Sequence, residues 1–191
     1  MVSRYHTGNI WTMAGTKLNL LKQEIEHYLG LPYFKNVGKF KNSGDNAYVG
    51  KGSAKEIALA TIDRANQENI KLIDFTPQQM YNFQKKHHLG IDCSGLAVHL
   101  LNFYFDTNID PRKTSADMLT STPLSKKIKI SEATTADLIR QEDGHHVLFV
   151  IEKINDQIYY IDSSLKGRGV KFGQLPISPQ LVLYRLAVQS K

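Results

Sequence analysis

Cysteine is all but missing from this chain: Cys93 is the only one in 191 residues. An intramolecular disulfide is thereby excluded, and so is any zinc site of the multi-cysteine kinds. Long apolar runs are missing too. The longest, Val147 to Ile151 and Leu96 to Phe105, are too short or, with His99 and Asn102 inside the second, too polar to span a bilayer, so no membrane span is expected. The first residues contain Arg4, His6, Asn9 and Trp11 and lack the unbroken apolar stretch of a secretory signal. As written the chain reads as cytoplasmic, unless it leaves by a non-classical route or is trimmed at its start. Low-complexity tracts and internal repeats are absent, and oligomeric state leaves no mark.

Charge of one sign is not concentrated anywhere either. The net charge is +6 and the isoelectric point about 9.3, yet the lysines fall into sparse groups: Lys35, Lys39 and Lys41; Lys85 and Lys86; Lys126, Lys127 and Lys129. No aromatic-rich pattern joins them, so they read as solvated faces and no specific nucleic-acid partner is expected. Gly167-Arg168-Gly169 matches neither a phosphate loop nor a dinucleotide fingerprint and reads as a turn. The adjacent pair His87-His88 cannot grip a metal from one helix face. No metal and no cofactor is expected.

What is present is an ordinary globular composition, 41% hydrophobic and 22% charged, with length for one domain over residues 1–191. Residues 1–88 read as a mostly helical part and 89–190 as the catalytic core. Leu18, Leu21, Ile25, Tyr28 and Leu29 recur at helical spacing from Thr16, with Gly30 where a helix would stop. Leu31 to Gly52 reads as irregular. Ser53 with Glu56 has capping-box spacing for a helix to about Gln67, and Thr76, Pro77 and Gln79 open another to about His88. After Gly90 the apolar residues Leu96, Ala97, Leu100, Leu101, Phe103 and Tyr104 predict a buried helix with Cys93 in its first turn. Strand-like runs follow at Lys127–Ile130, His146–Ile151, Gln157–Asp162 and Leu181–Val188, the middle two joined by the turn Asn155-Asp156. Helices first and antiparallel strands later give an α+β domain.

Cysteine attacks as thiolate, and an ordinary thiol with a pKa of about 8.5 is mostly protonated at neutral pH. A helix N-terminus favours the thiolate, a neighbouring imidazole can hold its proton, and free N–H groups at the helix end can face an oxyanion. Asp92-Cys93-Ser94-Gly95 supplies the helix start. His146, opening the run Val147-Leu148-Phe149-Val150, supplies the imidazole. His145 points to the opposite face of a strand, so only one of the pair can meet the cysteine. Asp162, at the end of the next strand across the hairpin, is placed to fix the tautomer of His146.

Gly90-Ile91-Asp92-Cys93-Ser94-Gly95-Leu96 resembles the Asp-Cys-Ser-Gly signature of the NlpC-type, papain-like cysteine peptidases of bacterial cell-wall peptidoglycan. Ala136-Asp137-Leu138-Ile139 resembles the family's Gly-Asp-Leu strand start. His146-Val147 resembles the strand that begins with the catalytic histidine, and Tyr159-Tyr160-Ile161-Asp162-Ser163 the strand that ends in the third polar residue. The resemblance covers about Leu89 to Ser164. It implies a papain-like fold, an antiparallel sheet packed on a central helix that carries the nucleophile, and a peptide or peptidoglycan-type substrate cleaved at an amide bond. It also implies that Asp92 and Ser94 contact the substrate's amino group or polar edge, with His145 beside them. Asp92 read alone is equally an N-cap. A tyrosine near the site is implied as well. Pro32-Tyr33 lies much farther ahead of the cysteine than the family's Pro-Tyr element does, and Tyr48 is a second candidate; the expected oxyanion donors are the Cys93 backbone N–H and Tyr33. Either tyrosine needs a helical insertion before Cys93.

Two other readings stand beside this one. A lone cysteine opening an apolar helix is often just a small buried hydrophobe, which would leave a non-catalytic module holding an anionic polymer on its basic surface. A thiol acyltransferase or thioesterase would use the same nucleophile on a thioester or lipid acyl group. The full set of cysteine, histidine and aspartate argues against the non-catalytic module.

Overall fold

A computed structural model describes residues 16–35, 44–141 and 145–187. The N-terminal stretch read for a signal, Lys39, Lys41, Gly144 and Val188 lie outside the described residues. Five α-helices are described: α1 (Thr16–Glu26), α2 (Ala54–Gln67), α3 (Pro77–Lys86), α4 (Cys93–Phe105) and the single turn α5 (Ala116–Leu119). Six strands follow: β1 (Ser125–Ile128), β2 (Leu138–Gln141), β3 (His146–Ile154), β4 (Gln157–Ser164), β5 (Gly169–Pro176) and β6 (Val182–Leu186). They form one sheet in the order β1-β6-β2-β3-β4-β5, with every pairing antiparallel. The architecture is α+β, as expected.

Local chemistry sets the helix ends. Ser53 and Glu56 form a reciprocal capping box at the head of α2, and Thr76 and Gln79 form another at α3, where Pro77 takes a position whose N–H has no helical partner. Helix α1 stops sooner than its apolar spacing suggests. Tyr28 remains buried in a turn beyond Glu26, and Gly30, at φ +81, donates its N–H to the Val170 carbonyl at 3.2 Å. Helix α3 likewise ends at Lys86, before His88, which takes φ +60.

Apolar residues cover both faces of the sheet. Leu138, Val147, Phe149, Ile151 and Ile161 join Leu96, Ala97, Leu100 and Leu101 of α4 and the buried side of α1 in one core cluster. On the other face Ile139, Leu148, Val150, Ile158 and Leu183 pack beneath Ile130, Ile177 and Leu181. Residues 147–151 of β3 are therefore apolar without alternation, because that part of the strand has no solvent side. At roughly 1.5–3 kcal/mol for each fully buried large aliphatic, α4 is held in place by its seat on the sheet.

Strand β5 was not expected beyond the turn at Gly167–Gly169. Its outer residues Lys171, Phe172, Gln174 and Pro176 are exposed or nearly so, as an edge strand allows, and they hide the β pattern. The one-turn helix α5 was not expected either. Strands β1 and β6 run Ser125–Ile128 and Val182–Leu186, each shifted or shortened from its apolar run.

The loop before α2 matters most for position. Tyr33 bridges Ile91 in parallel and Lys51 bridges it in antiparallel, so two early segments flank the turn that leads to Cys93. Contact is close enough that glycine is required at Gly50, where φ is +75 and a Cβ would run into the Phe34 carbonyl. Gly50→Ala should cost about 2–3 kcal/mol and lower Tm accordingly. Gly44→Ala, whose Cβ would meet nothing within 4 Å, should leave Tm nearly unchanged in the same melts.

Candidate active site

Cys93 is the first residue of α4 and is buried. Asp92 caps the helix, its Oδ1 accepting from the Gly95 N–H at 2.7 Å, so the N-cap reading of Asp92 is realised in the structure. Backbone bonds hold the turn before it: Ile91 N–H donates to the Pro32 carbonyl at 3.0 Å and Asp92 N–H to the Gly50 carbonyl at 2.9 Å.

His146 opens β3 and Asp162 lies near the end of β4. The register pairs Phe149 with Ile161, which sets Asp162 and His146 on the same face as diagonal neighbours across the two strands. Their side chains meet, His146 Nε2 lying 3.0 Å from Asp162 Oδ2, and both residues are buried. The Cys93 side chain is the second group that acts on the ring. With Nε2 given to Asp162, Nδ1 is the nitrogen left for sulfur. Burial alone would depress the imidazolium, but hydrogen bonds to Asp162 and Cys93, together with their negative charges, outweigh it and raise the His146 pKa to about 10. At neutral pH the ring is an imidazolium beside the Cys93 sulfur.

The adjacent His145 is exposed, and its part in the site is played by backbone: Cys93 Sγ lies 3.9 Å from its carbonyl oxygen. Tyr33 is half-buried and reaches the site through its backbone bridge to Ile91. Tyr48 is engaged elsewhere, its hydroxyl accepting from Arg64 Nε at 3.1 Å and its ring lying under the same guanidinium. Ser94 is buried, its hydroxyl 3.1 Å from Asp92 Oδ1. His99 is half-buried on α4 and held below the ordinary imidazole range by desolvation, while His87 lies tilted against Phe83 and pairs with Glu68, so neither faces the thiol. Among the described residues no group of three His, Cys, Asp or Glu side chains is placed to hold a metal, and no helix is long and apolar enough to cross a membrane.

Two residues of the site were not expected from the sequence. Ser163 donates its hydroxyl to the Ile91 carbonyl at 2.6 Å, tying β4 to the turn before Cys93. Lys51 buries its ammonium against Asp92 and Ser94. Strand alternation places Ser163 opposite in facing to Asp162 and so hints at its role, whereas a lysine between Gly50 and Gly52 carries no sign of burial.

No family model matches the chain, and no curated protein sequence does. Among solved structures it is similar to the peptidoglycan hydrolase RipB of Mycobacterium tuberculosis, at 17% identity and a TM-score of 0.45 over 89% of this chain. The chain spans 64% of the length of that protein. It is also similar to the P60 domain of an antigen from M. avium subspecies paratuberculosis, at 20% identity and a TM-score of 0.45, with 89% of this chain and 94% of that one covered.

The raised His146 has a thermodynamic consequence. Because its folded value lies above the ordinary 6.5, the protonated ring stabilises the fold fully below about pH 6.5, and that contribution is lost as pH climbs towards 10. The Tm gap between wild type and His146→Gln should therefore be widest at mildly acidic pH and close on the alkaline side. A gap that stays constant with pH would contradict the assignment.

Proposed function

We propose that the protein is a thiol-dependent hydrolase of amide bonds, a divergent relative of the NlpC-type, papain-like peptidases, folded as one domain with its catalytic part from residue 89 onward. The observation that carries this reading is the chain of contacts Asp162–His146–Cys93 ending at the N-terminus of α4. Each member has the chemistry its place requires. The carboxylate holds the ring by Nε2, the ring holds a proton beside sulfur, and the sulfur sits where the helix end favours a negative charge.

In this reading the Cys93 thiolate attacks the amide carbonyl carbon and the carbonyl π electrons move to oxygen. That oxyanion faces the Cys93 backbone N–H, with Tyr33 as the second donor. The His146 imidazolium gives its proton to the leaving nitrogen, the C–N bond breaks, and a thioester to Cys93 remains. Water then attacks the thioester, imidazole takes its proton, and the thiolate departs as the acid is released. No metal or cofactor has a step in this sequence. Gly90 to Leu96, with the histidine and aspartate strands in the family's order, favours a peptide of the peptidoglycan type, with Asp92, Ser94 and His145 lining its path.

The test is the rate of Cys93 alkylation by iodoacetamide against pH, followed by intact mass. Wild type should react with an apparent pKa well below the ordinary 8.5 or so, His146→Ala should return to about that value, and Asp162→Asn should fall between them. Identical, ordinary profiles for all three proteins would remove the nucleophile and leave the non-catalytic binding module.

A further inference from the structure

Lys51 is the one buried ammonium among the described residues that touches both chain neighbours of the nucleophile. Only 6% of it is exposed. Its Nζ lies 2.9 Å from Asp92 Oδ1, 2.6 Å from Ser94 Oγ and 3.4 Å from the Thr114 carbonyl oxygen. Its backbone is fixed as well. It bridges Ile91, and its carbonyl accepts from His99 Nε2 at 2.9 Å, a turn and a half farther along α4. One residue thus grips the nucleophile's helix at residues 92, 94 and 99.

An ammonium is costly to bury, and an ion pair in that setting is rarely a net gain over well-packed apolar groups. Stability alone is therefore a poor reason for this lysine. What it does uniquely is geometric. Asp92 Oδ1 takes the Gly95 N–H, the Ser94 hydroxyl and the Lys51 ammonium together, so the residues before and after Cys93 are tied to one point.

We propose that Lys51 is a positioning residue, which locks the first turn of α4 so that the Cys93 sulfur stays opposite His146. This rests on the reading of Cys93 as nucleophile. The ionisable groups around the thiol are His146 from β3, Asp162 from β4, Asp92 at the head of α4, and Lys51 itself, so any test must separate lost position from changed charge.

Lys51→Met/Asp92→Asn does so. It removes one charge of each sign, and asparagine still caps the helix. With the lock gone and the charge balance kept, the apparent pKa of Cys93 towards iodoacetamide should rise by about one unit relative to wild type, because the imidazolium no longer sits squarely beside sulfur. A purely structural lysine would lower Tm and leave that profile alone. Should the double variant fail to fold, Ser94→Ala keeps the ion pair and removes one of its grips, and its profile should rise by a few tenths of a unit. A folded double variant, or failing that a folded Ser94→Ala, with the wild-type profile would overturn the role of Lys51. If wild type and His146→Ala behave as expected in that same experiment, only Lys51 falls. An ordinary thiol in the wild type removes the nucleophile and this inference with it.

Discussion

The carbonyl oxygen of Ile91 accepts two hydrogen bonds, from the Phe34 N–H at 3.3 Å and the Ser163 hydroxyl at 2.6 Å, and the geometry of the site hangs on that junction. It lies two residues before Cys93. One bond fastens it to the early loop and the other to β4, whose preceding residue is Asp162. The sulfur and the carboxylate that orients its partner histidine are thus referenced to one buried backbone atom. An interior position for such an atom is stable only because its partners satisfy it, since a lost buried hydrogen bond costs on the order of 1–3 kcal/mol. Close approach of three backbones also explains the glycines here. A Cβ on Gly90 would strike the Pro32 carbonyl, and one on Gly95 would press on the Gly50 carbonyl.

Around that junction sits an unusual density of buried ionisable groups. Lys51, Asp92, His146 and Asp162 are all buried, as two pairs of opposite sign, one at the head of the helix that Cys93 opens and one across β3 and β4. Burial of so many charges opposes folding unless every one is matched. The match is not complete: Asp162 Oδ1 has no hydrogen-bond partner among the described residues. A fold selected for stability alone would place apolar residues here. A raised imidazole paired with a carboxylate beside a cysteine at a helix N-terminus is the arrangement on which the proposed acyl-transfer chemistry rests.

How much of this could be read in the sequence follows from the range of the forces involved. Helix starts were legible because a capping box is complete within four residues, as at Ser53–Glu56 and Thr76–Gln79. Strand β3 and its hairpin partner were legible because a short turn fixes the pairing, and Asn155 adopts φ 51 as such a turn demands. The same hairpin made His146 and Asp162 nameable together. Strand β5 was hidden because its signal lies in pairing with β4 rather than in its own residues. Ala136 is a subtler case, since it holds φ +68 at the place where the resemblance calls for glycine, and no local pattern announces a left-handed alanine. Lys51 and Ser163 depend on contacts between residues far apart in sequence, and composition is silent about those.

The long separation between the Pro32-Tyr33 element and Cys93 looked like a departure in the sequence, and in space it closes up. The chain leaves the site at Lys51, makes α2 and α3, and returns through Leu89 to Ile91, which bridges both Tyr33 and Lys51. The excursion is therefore a loop whose ends are pinned together. Closing a loop costs entropy that grows only with the logarithm of its length, so two helices can be accommodated there for little more than a short turn would need. The cost is offset locally, since Ile57, Ala60 and Ala65 of α2 and Phe83 of α3 are buried and the Arg64–Tyr48 contact ties α2 back to the loop before it. Distance along the chain is thus a poor guide to what stands beside Cys93, whereas the backbone bridges at Ile91 are a direct one.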